Sequence, residues 1–228
     1  KTGTMTQGHV RLSAALGLDG EPAPPVERLA RINAEMQVGL KNPIDEAIVA
    51  ASPSDIGTVT KLGELPYDFD RKRLSVLVRD ASSGPDPILI TKGAFGPVLE
   101  VCESTTSPAG KVAPLGESRD SIASQFEELS GQGFRVLAVA TRRIAGTTPL
   151  TVGDEAGMTL VGLLTFADPP KDDITATLGA LASNGISVRM VTGDNRFIAT
   201  HLAHEVGLDT STVLTGNDIA AMDAPTLT

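Results

Sequence analysis

The sequence has few aromatic residues: tryptophan is absent, tyrosine occurs once, and aromatic side chains make up 3% of the chain. Hydrophobic residues nevertheless account for 41% of the 228 positions, which is enough for one large domain or two small ones with buried cores. Those cores must be mainly aliphatic. The one tyrosine, Tyr67, is therefore a candidate for a role other than packing.

Cysteine, positive charge and long apolar segments are also scarce. A single cysteine, Cys102, excludes an internal disulfide and is typical of a reducing compartment. The 19 lysines and arginines are outnumbered by 28 aspartates and glutamates, the opposite of the balance in most proteins that bind nucleic acids. No apolar run reaches the roughly 18–20 residues needed to cross a bilayer. We therefore expect a soluble segment that does not bind nucleic acid.

The spacing of apolar residues predicts an α+β arrangement for most of the chain. Two helices are predicted between residues 29 and 51, the second beginning at Asn42 and Pro43. The segments RLSVLVRD and PILITK predict a β-hairpin, and FRVLAVA and MTLVGLLTF predict two further strands. Helices between these strands complete an antiparallel sheet flanked by helices.

The pattern changes after the segment DPP. A helix that ends at Asn184 and Gly185 is followed by the apolar segment ISVRMV, a turn, another helix and the segment STVLTG. Strands that alternate with helices predict a parallel sheet with right-handed crossovers. This part of the chain is therefore predicted to be an α/β fold.

The turn TGDN follows the first predicted strand of that α/β part. Ligands of α/β sheets bind beyond the carboxyl ends of the strands, and a helix N-terminus favours a phosphate group. Thr192, Gly193 and Asp194 are placed at such a point. Taken alone, the turn is a weak signal and is better explained as an ordinary helix cap.

Motifs in a fixed order give the chain a family resemblance. It begins with KTGT followed by TQG, and continues far downstream with DPPK and TGDN. This series resembles that of the P-type cation-pumping ATPases, in which the first motif reads D-K-T-G-T-L-T and its aspartate is phosphorylated by ATP. Lysine is residue 1 here, so the resemblance places that aspartate immediately before Lys1, and Met5 stands where leucine is usual.

The resemblance implies a domain organisation. Residues 10–167 are expected to form an α+β nucleotide-binding domain, an antiparallel sheet flanked by helices. This domain is expected to be inserted in a partial α/β, HAD-like Rossmannoid phosphorylation domain formed by residues 1–9 and 168–228. The segment DPPK would be the hinge, with Asp168 and Lys171 as its polar residues; the alternative is that two prolines simply end a strand.

The resemblance also implies roles in phosphoryl transfer, where a protein mainly positions the phosphate and neutralises its charge. Lys1 would lie next to the phosphorylated aspartate, and the backbone carbonyl of Thr2 would bind Mg²⁺. The residues implied to hold the transferred phosphoryl group, or to lie beside it, are Thr4, Thr192, Gly193 and Asp194.

The middle of the chain is expected to bind ATP. The segment PYDFDRKRLSV resembles the family pattern P-F-x-S-x-R-K-x-M-S-V, which places Tyr67 on adenine and Lys72 at the phosphates, with Phe69 as the alternative stacking ring. The segment ITKGAFGPV resembles the K-G-A motif at the floor of the adenosine pocket. Its residues here are Lys92, whose amine is expected to be exposed, and Gly93 and Ala94, which would leave space for the base.

Two further segments are implied to contribute charged groups to the pocket. KNPIDEAI resembles N-P-x-E-x-A-L, so that Asp45 approaches the adenine amino group, with Glu46 as the alternative. GFRVLAVA resembles G-x-R-x-L-A-x-A, whose arginine reaches the phosphates and corresponds to Arg135. An ordinary solvated charge is the other explanation for both residues. His201 and His204 are interpreted as a solvated helix face, because no third metal ligand accompanies them in the sequence.

Three segments resemble in sequence the magnesium-importing branch of these pumps: GLKNPIDEAI, DFDRKRLSV and HEVGLD. The resemblance implies an integral membrane pump that works through an aspartyl phosphate, with ATP and Mg²⁺ as cofactors. This segment would lie on the cytoplasmic side of the plasma (inner) membrane. Its partners would be the remaining phosphorylation, actuator and transmembrane domains of the same protein. The segment alone is expected to bind nucleotide weakly without hydrolysing it. The alternatives are a soluble HAD-type phosphatase with a large cap domain and a non-catalytic nucleotide-binding module.

Overall fold

The structure, a computed structural model, describes residues 1–38, 42–51, 55–107, 109–144, 149–193 and 195–222. The chain forms two compact units. The larger one, which we call the sheet unit, consists of residues 10–129 and 135–167. The smaller one, which we call the helical unit, consists of residues 1–9, 130–134 and 168–228.

The described part of the sheet unit contains one mixed sheet with helices on it. The strands are β1 (Arg11–Leu16), β2 (Val59–Asp68), β3 (Arg73–Asp80), β4 (Ile88–Ala94), β5 (Cys102–Thr106), β6 (Val112–Pro114), β7 (Arg135–Arg143) and β8 (Met158–Ala167). The helices are α1 (Pro24–Met36), α2 (Pro43–Ala51), α3 (Phe95–Glu100) and α4 (Arg119–Gly131).

The strand order is β2-β3-β4-β7-β8-β5-β6, and β1 pairs with β8 outside this series. All pairs are antiparallel except β5 with β8, which are parallel. The sheet is therefore mixed, and the prediction of a purely antiparallel sheet is wrong in this one pair. The physical reason is that the chain crosses over through α3, which gives β5 the same direction as β4 and therefore as β8.

The main core lies between the sheet and helices α1 and α2. Residues directly opposite in an antiparallel pair share a face, so Val76 with Ile90 and Val78 with Ile88 form one apolar surface. Ile32 of α1 and Ile48 of α2, each fully buried, belong to the same cluster. We call this side of the sheet the helix face.

Two predicted helix boundaries are confirmed. The Asn42 side-chain oxygen accepts hydrogen bonds from the backbone N–H groups of Ile44 and Asp45, at 2.9 and 3.0 Å, which makes it the cap of α2. Helix α5 (Ile174–Ser183) ends at Asn184, and Gly185 follows it with φ +76°, as the sequence predicts.

The helical unit contains α5, α6 (Arg196–Glu205) and α7 (Gly216–Ala221). Its small core joins Met5 to Leu178, Leu202 and Val206. None of the helices in the described part of the chain is long and apolar enough to cross a membrane.

The strands predicted for ISVRMV and STVLTG are wrong. Residues 186–191 carry no regular structure, and Val191 is 88% exposed. Thr215, at the end of the second segment, is instead the cap of α7. A strand is stabilised by pairing with a neighbouring strand. Within the described residues of this unit, the β pairing is a single bridge between Thr6 and Pro170.

Candidate functional site

Residues that are far apart in the sequence meet at one end of the sheet. The ladder pairs Asp68 of β2 with Arg73 of β3, and Arg73 with Gly93 of β4. Strand β7 begins beside this end of β4, at Arg135. We call this end of the four strands the site edge. The predicted site residues on it are Tyr67, Lys72, Gly93, Ala94 and Arg135.

A buried ion pair lies on the helix face beside this edge. Lys92 of β4 donates to one oxygen of Asp45 of α2, and both residues are 3% exposed. The other Asp45 oxygen accepts from the amide groups of Gln37 and Asn42. Burial lowers the pKa of Lys92, and attraction to the Asp45 carboxylate opposes that shift. The sequence predicted an exposed amine at Lys92, whereas the structure pairs it with another predicted site residue.

The acidic residue of α2 that joins this cluster is Asp45. Glu46, the alternative, is exposed. Asp45 follows the capping residue Asn42 by three positions, which brings the two side chains together in the first turn of α2. Local helix geometry therefore decides which carboxylate faces Lys92.

The two candidate stacking rings lie together at the end of β2. Tyr67 and Phe69 are in edge-to-face contact, with ring centroids 5.4 Å apart. Tyr67 is 48% exposed and Phe69 is 84% exposed. Both rings are open enough for a planar group to stack on them.

Lys72 lies in the turn between β2 and β3 and has a left-handed backbone conformation with φ +50°. Its N–H donates to the carbonyl of Asp68 at 2.7 Å, and its own carbonyl accepts from the N–H of Ala94 at 2.9 Å. The side chain is exposed. The turn thus fixes the backbone of a lysine whose ammonium group remains free to meet an anion.

Strand β4 lies so close to the turn between β2 and β3 that position 93 has no room for a side chain. A Cβ atom at Gly93 would lie 2.5 Å from the Lys72 carbonyl oxygen and 2.4 Å from the Cβ of Arg73. The sequence interpretation was that Gly93 leaves space for a bound base. In the structure the space next to Gly93 is filled by β3, so the glycine is needed for packing.

A second polar cluster, on the other face of the sheet, was missed by the sequence analysis. The buried carboxylate of Glu155 accepts from Arg71, Arg73 and Ser75 at 2.6, 2.8 and 2.6 Å. For Arg73 the available signal was its position two residues before Ser75 on β3, because alternate residues of a strand point to the same face, whereas Arg71 lies in the turn before β3 and gave no such signal. No local pattern identifies Glu155, more than eighty positions away, as their partner.

In the helical unit, hydrogen bonds connect the segment DPPK to the first residues of the chain. Asp168 accepts from the Thr6 hydroxyl at 2.7 Å and from the Gly8 N–H at 2.9 Å, and the Lys171 N–H donates to the Met5 carbonyl at 2.9 Å. These bonds tie DPPK to the opening segment, in which Thr2 and Thr4 are exposed.

The segment TGDN lies just before α6, whose capping residue is Asn195. Thr192 is half-buried and Gly193 is exposed. Asp194 lies outside the described residues. His201 contacts the Gly131 carbonyl and lies 3.8 Å from Glu205.

A family model described as P-type ATPase, cytoplasmic domain N, matches residues 55–173, slightly more than half of the chain. The chain belongs to this family. The match begins just before β2 and ends just after β8, so it includes the site edge and the Glu155 cluster. The predicted resemblance to the P-type cation-transporting ATPases is confirmed.

Curated relatives extend the similarity to nearly the whole chain. The "Magnesium-transporting ATPase, P-type 1" of Salmonella typhimurium strain LT2 is 39% identical over 97% of this chain. A protein of the same name in Escherichia coli strain K12 is 34% identical over the same share. The "Probable cation-transporting ATPase F" of Mycobacterium tuberculosis strain H37Rv is 33% identical over 73% of the chain. This N-domain chain spans about a quarter of the length of the magnesium-transporting relatives.

Proposed function

We propose that the sheet unit binds ATP at the site edge, as the nucleotide-binding part of a P-type ATPase. The observation that carries this proposal is the assembly of a buried Asp45–Lys92 pair, an exposed aromatic pair and the exposed Lys72 around one end of the sheet. An acceptor beside a donor matches the amino group and ring nitrogen of adenine. Asp45 and Lys92 bind each other in the structure. When adenine binds, it replaces part of this contact with hydrogen bonds of its own to the two side chains.

The aromatic and basic residues complete the proposed site. Tyr67 stacks on adenine, with Phe69 as the alternative ring, and the phosphates extend toward Lys72 and Arg135. Both basic residues are exposed, which suits a ligand whose charged end stays in contact with water. A lysine ammonium and an arginine guanidinium both form charge-assisted hydrogen bonds with phosphate oxygens.

We further propose that the terminal phosphate passes to an aspartate preceding Lys1 in the full-length protein, and that the helical unit belongs to a HAD-like phosphorylation domain. Thr4, Thr192 and Gly193 would hold the phosphoryl group, and Lys1 and Asp194 would lie beside it. Asp168 and Lys171 would lie at the hinge. Support comes from the order of the motifs and from the bonds of Asp168 to the opening segment. If the gene encodes a residue other than aspartate immediately before Lys1, this part of the proposal is wrong.

Two roles for Mg²⁺ are proposed. In the described residues, no three acidic, histidine or cysteine side chains lie close enough together to hold a metal ion. For the Mg²⁺ that accompanies ATP, the resemblance assigns the backbone carbonyl of Thr2 as a ligand, with the phosphates supplying others. As the transported cation we propose Mg²⁺, because relatives that match 97% of the chain are named magnesium-transporting ATPases.

ATP titration of the 228-residue chain, followed by amide chemical shifts, tests the binding proposal. Tyr67→Ala should weaken ATP binding by about 1–3 kcal/mol through loss of stacking. Lys72→Gln should weaken ATP binding but leave adenosine binding unchanged. The matched control is Arg79→Gln, an exposed basic residue at the other end of β3, which should change neither. If the wild-type chain shows no ATP-dependent shifts at the site edge, the binding proposal is wrong.

A further inference from the structure

Two arginines on either side of Lys72 bind the same buried carboxylate. Arg71 and Arg73 donate to one oxygen of Glu155 at 2.6 and 2.8 Å, and the Ser75 hydroxyl donates to the other at 2.6 Å. The Glu155 side chain is fully buried, whereas the Arg71 and Arg73 side chains are 18% and 11% exposed. Both arginine charges are thus directed to the interior of the sheet unit rather than to its site edge.

The cluster extends into the neighbouring strand. Ser75 lies 2.6 Å from the hydroxyl of Thr91 on β4, and both residues are fully buried. A serine hydroxyl has one hydrogen, which Ser75 gives to Glu155, so Thr91 must be the donor to Ser75. The carboxylate is therefore held by donors from the β2–β3 turn and β3, with further support from β4.

The same arginines also bind backbone carbonyls around the turn. Arg71 donates to the Pro66 carbonyl at 2.8 Å, and Arg73 donates to the Pro97 carbonyl at 3.1 Å. Lys72, between them, has φ +50°, a conformation that is unfavourable for a residue with a side chain and persists only where its surroundings hold it. The hydrogen bonds that Arg71 and Arg73, on both sides of Lys72, donate to Glu155 add to the backbone bonds of the turn in supplying that restraint.

We propose that Glu155 is a positioning residue for the ATP phosphates. It anchors Arg71 and Arg73 on one side of the sheet, which fixes the turn and leaves Lys72 as the member of this basic triplet that meets the phosphates. This inference rests on the proposed ATP site. It also assigns different tasks to three consecutive basic residues: two hold the turn, and one binds the ligand.

Parallel titrations with ATP and adenosine test this inference on the 228-residue chain. Glu155→Gln keeps the size of the side chain but removes its charge. It should weaken ATP binding about tenfold, the loss expected for one charge-assisted hydrogen bond, while adenosine binding changes less than about twofold. In a Lys72→Gln background the same substitution should have no further effect on ATP, because its effect acts through Lys72.

The matched control is Asp80→Asn at the opposite end of β3. Asp80 is also a buried carboxylate held by an arginine, Arg28, at 2.6 and 3.1 Å. The Asp80→Asn substitution should leave the affinities for ATP and for adenosine unchanged. This control therefore separates an effect on the position of Lys72 from a general loss of stability. If Glu155→Gln fails to fold, Ser75→Ala removes one donor to Glu155 without a charge change and should produce a smaller loss of ATP binding in the same direction.

The outcomes distinguish this inference from the proposed site. If Lys72→Gln leaves ATP affinity unchanged, the site assignment itself fails. If Lys72→Gln weakens ATP binding but Glu155→Gln leaves it unchanged or strengthens it, the site stands and the positioning role of Glu155 is overturned. Equal losses of ATP and adenosine binding in Glu155→Gln would also overturn it, since they indicate general structural damage.

Discussion

At the end of β3 away from Lys72, both oxygens of one carboxylate are hydrogen-bonded. Asp80 accepts from the Arg28 guanidinium of α1 and from the side chains of Ser82 and Ser83. The hydrogen bond from Arg28 is the main cause that holds the pKa of Asp80 far below its usual range. This residue therefore stabilises the fold only while it is ionised.

The pH dependence of that contribution can be measured. A carboxyl group with a lowered pKa stabilises the folded state fully above its unfolded pKa, near pH 4, and loses this effect as the pH falls toward its folded value. Asp80→Asn should thus lower the free energy of unfolding by about 2–3 kcal/mol at pH 7. Urea unfolding should show the difference from wild type shrinking steadily below pH 4. A difference that is constant from pH 7 to pH 3 would contradict this account.

Single residues were predictable where a local rule applies. Asn42 is a cap because its side chain can reach N–H groups two and three positions ahead, and that rule is contained in the sequence. Asp45 was chosen over Glu46 by motif register, and in the structure Asp45 is the residue that binds Lys92. The partners of Arg71 and the left-handed conformation of Lys72 depend on contacts between distant segments, which no local rule contains.

At the scale of elements, the Asp45–Lys92 pair joins helix α2 to strand β4 within the sheet unit. Removing one member of a buried ion pair leaves the other charge buried without compensation, which costs about 3–5 kcal/mol. Lys92→Met should therefore destabilise the chain by about that amount. The double variant Asp45→Asn, Lys92→Met should recover a large part of the loss, because no unpaired charge remains.

Denaturant unfolding of these variants gives the measurement. The control is Glu35→Gln in the partly exposed pair Arg31–Glu35 on α1, for which a loss below about 1 kcal/mol is expected. If Lys92→Met costs no more than this control, the buried pair does not hold α2 against β4.

Strands were predicted where apolar residues are concentrated. The segments that became β3, β4, β7 and β8 are rich in apolar residues, and most of their residues are buried in the structure. Strand β2 was missed because Gly63 and Pro66 interrupt it and its pairing with β3 shifts register twice. The segments ISVRMV and STVLTG show the reverse error: their composition favours strands, but strand formation also requires a paired neighbour.

At the scale of the whole chain, the two units differ in the size of their cores. Counting only described residues, the main core of the sheet unit contains sixteen buried apolar residues and that of the helical unit contains four. A small core stabilises its unit less, because hydrophobic stabilisation grows with the apolar area that is buried. The helical unit is therefore expected to open more readily than the sheet unit.

Hydrogen exchange with peptide-level detection checks this expectation. Amides of α5 and α6 should exchange at least about tenfold faster than those of β3, β4 and β7, since local opening follows local stability. Both sets of amides are measured in the same sample, so the strands serve as the internal control for the helices. Equal protection in both sets of elements would show that the chain opens as one cooperative body.

The strand order has a consequence for solubility. Strands β2 and β6 end the series, and an open edge offers unpaired backbone groups to other molecules. Strand β6 has only three residues and ends in Pro114, which has no N–H to donate, while β2 carries Lys61, Pro66 and two irregularities. Short length, proline and irregular register are features that hinder edge-to-edge addition of a second sheet. At the β2 and β6 edges, these features therefore work against growth of the sheet into extended β-aggregates at high concentration.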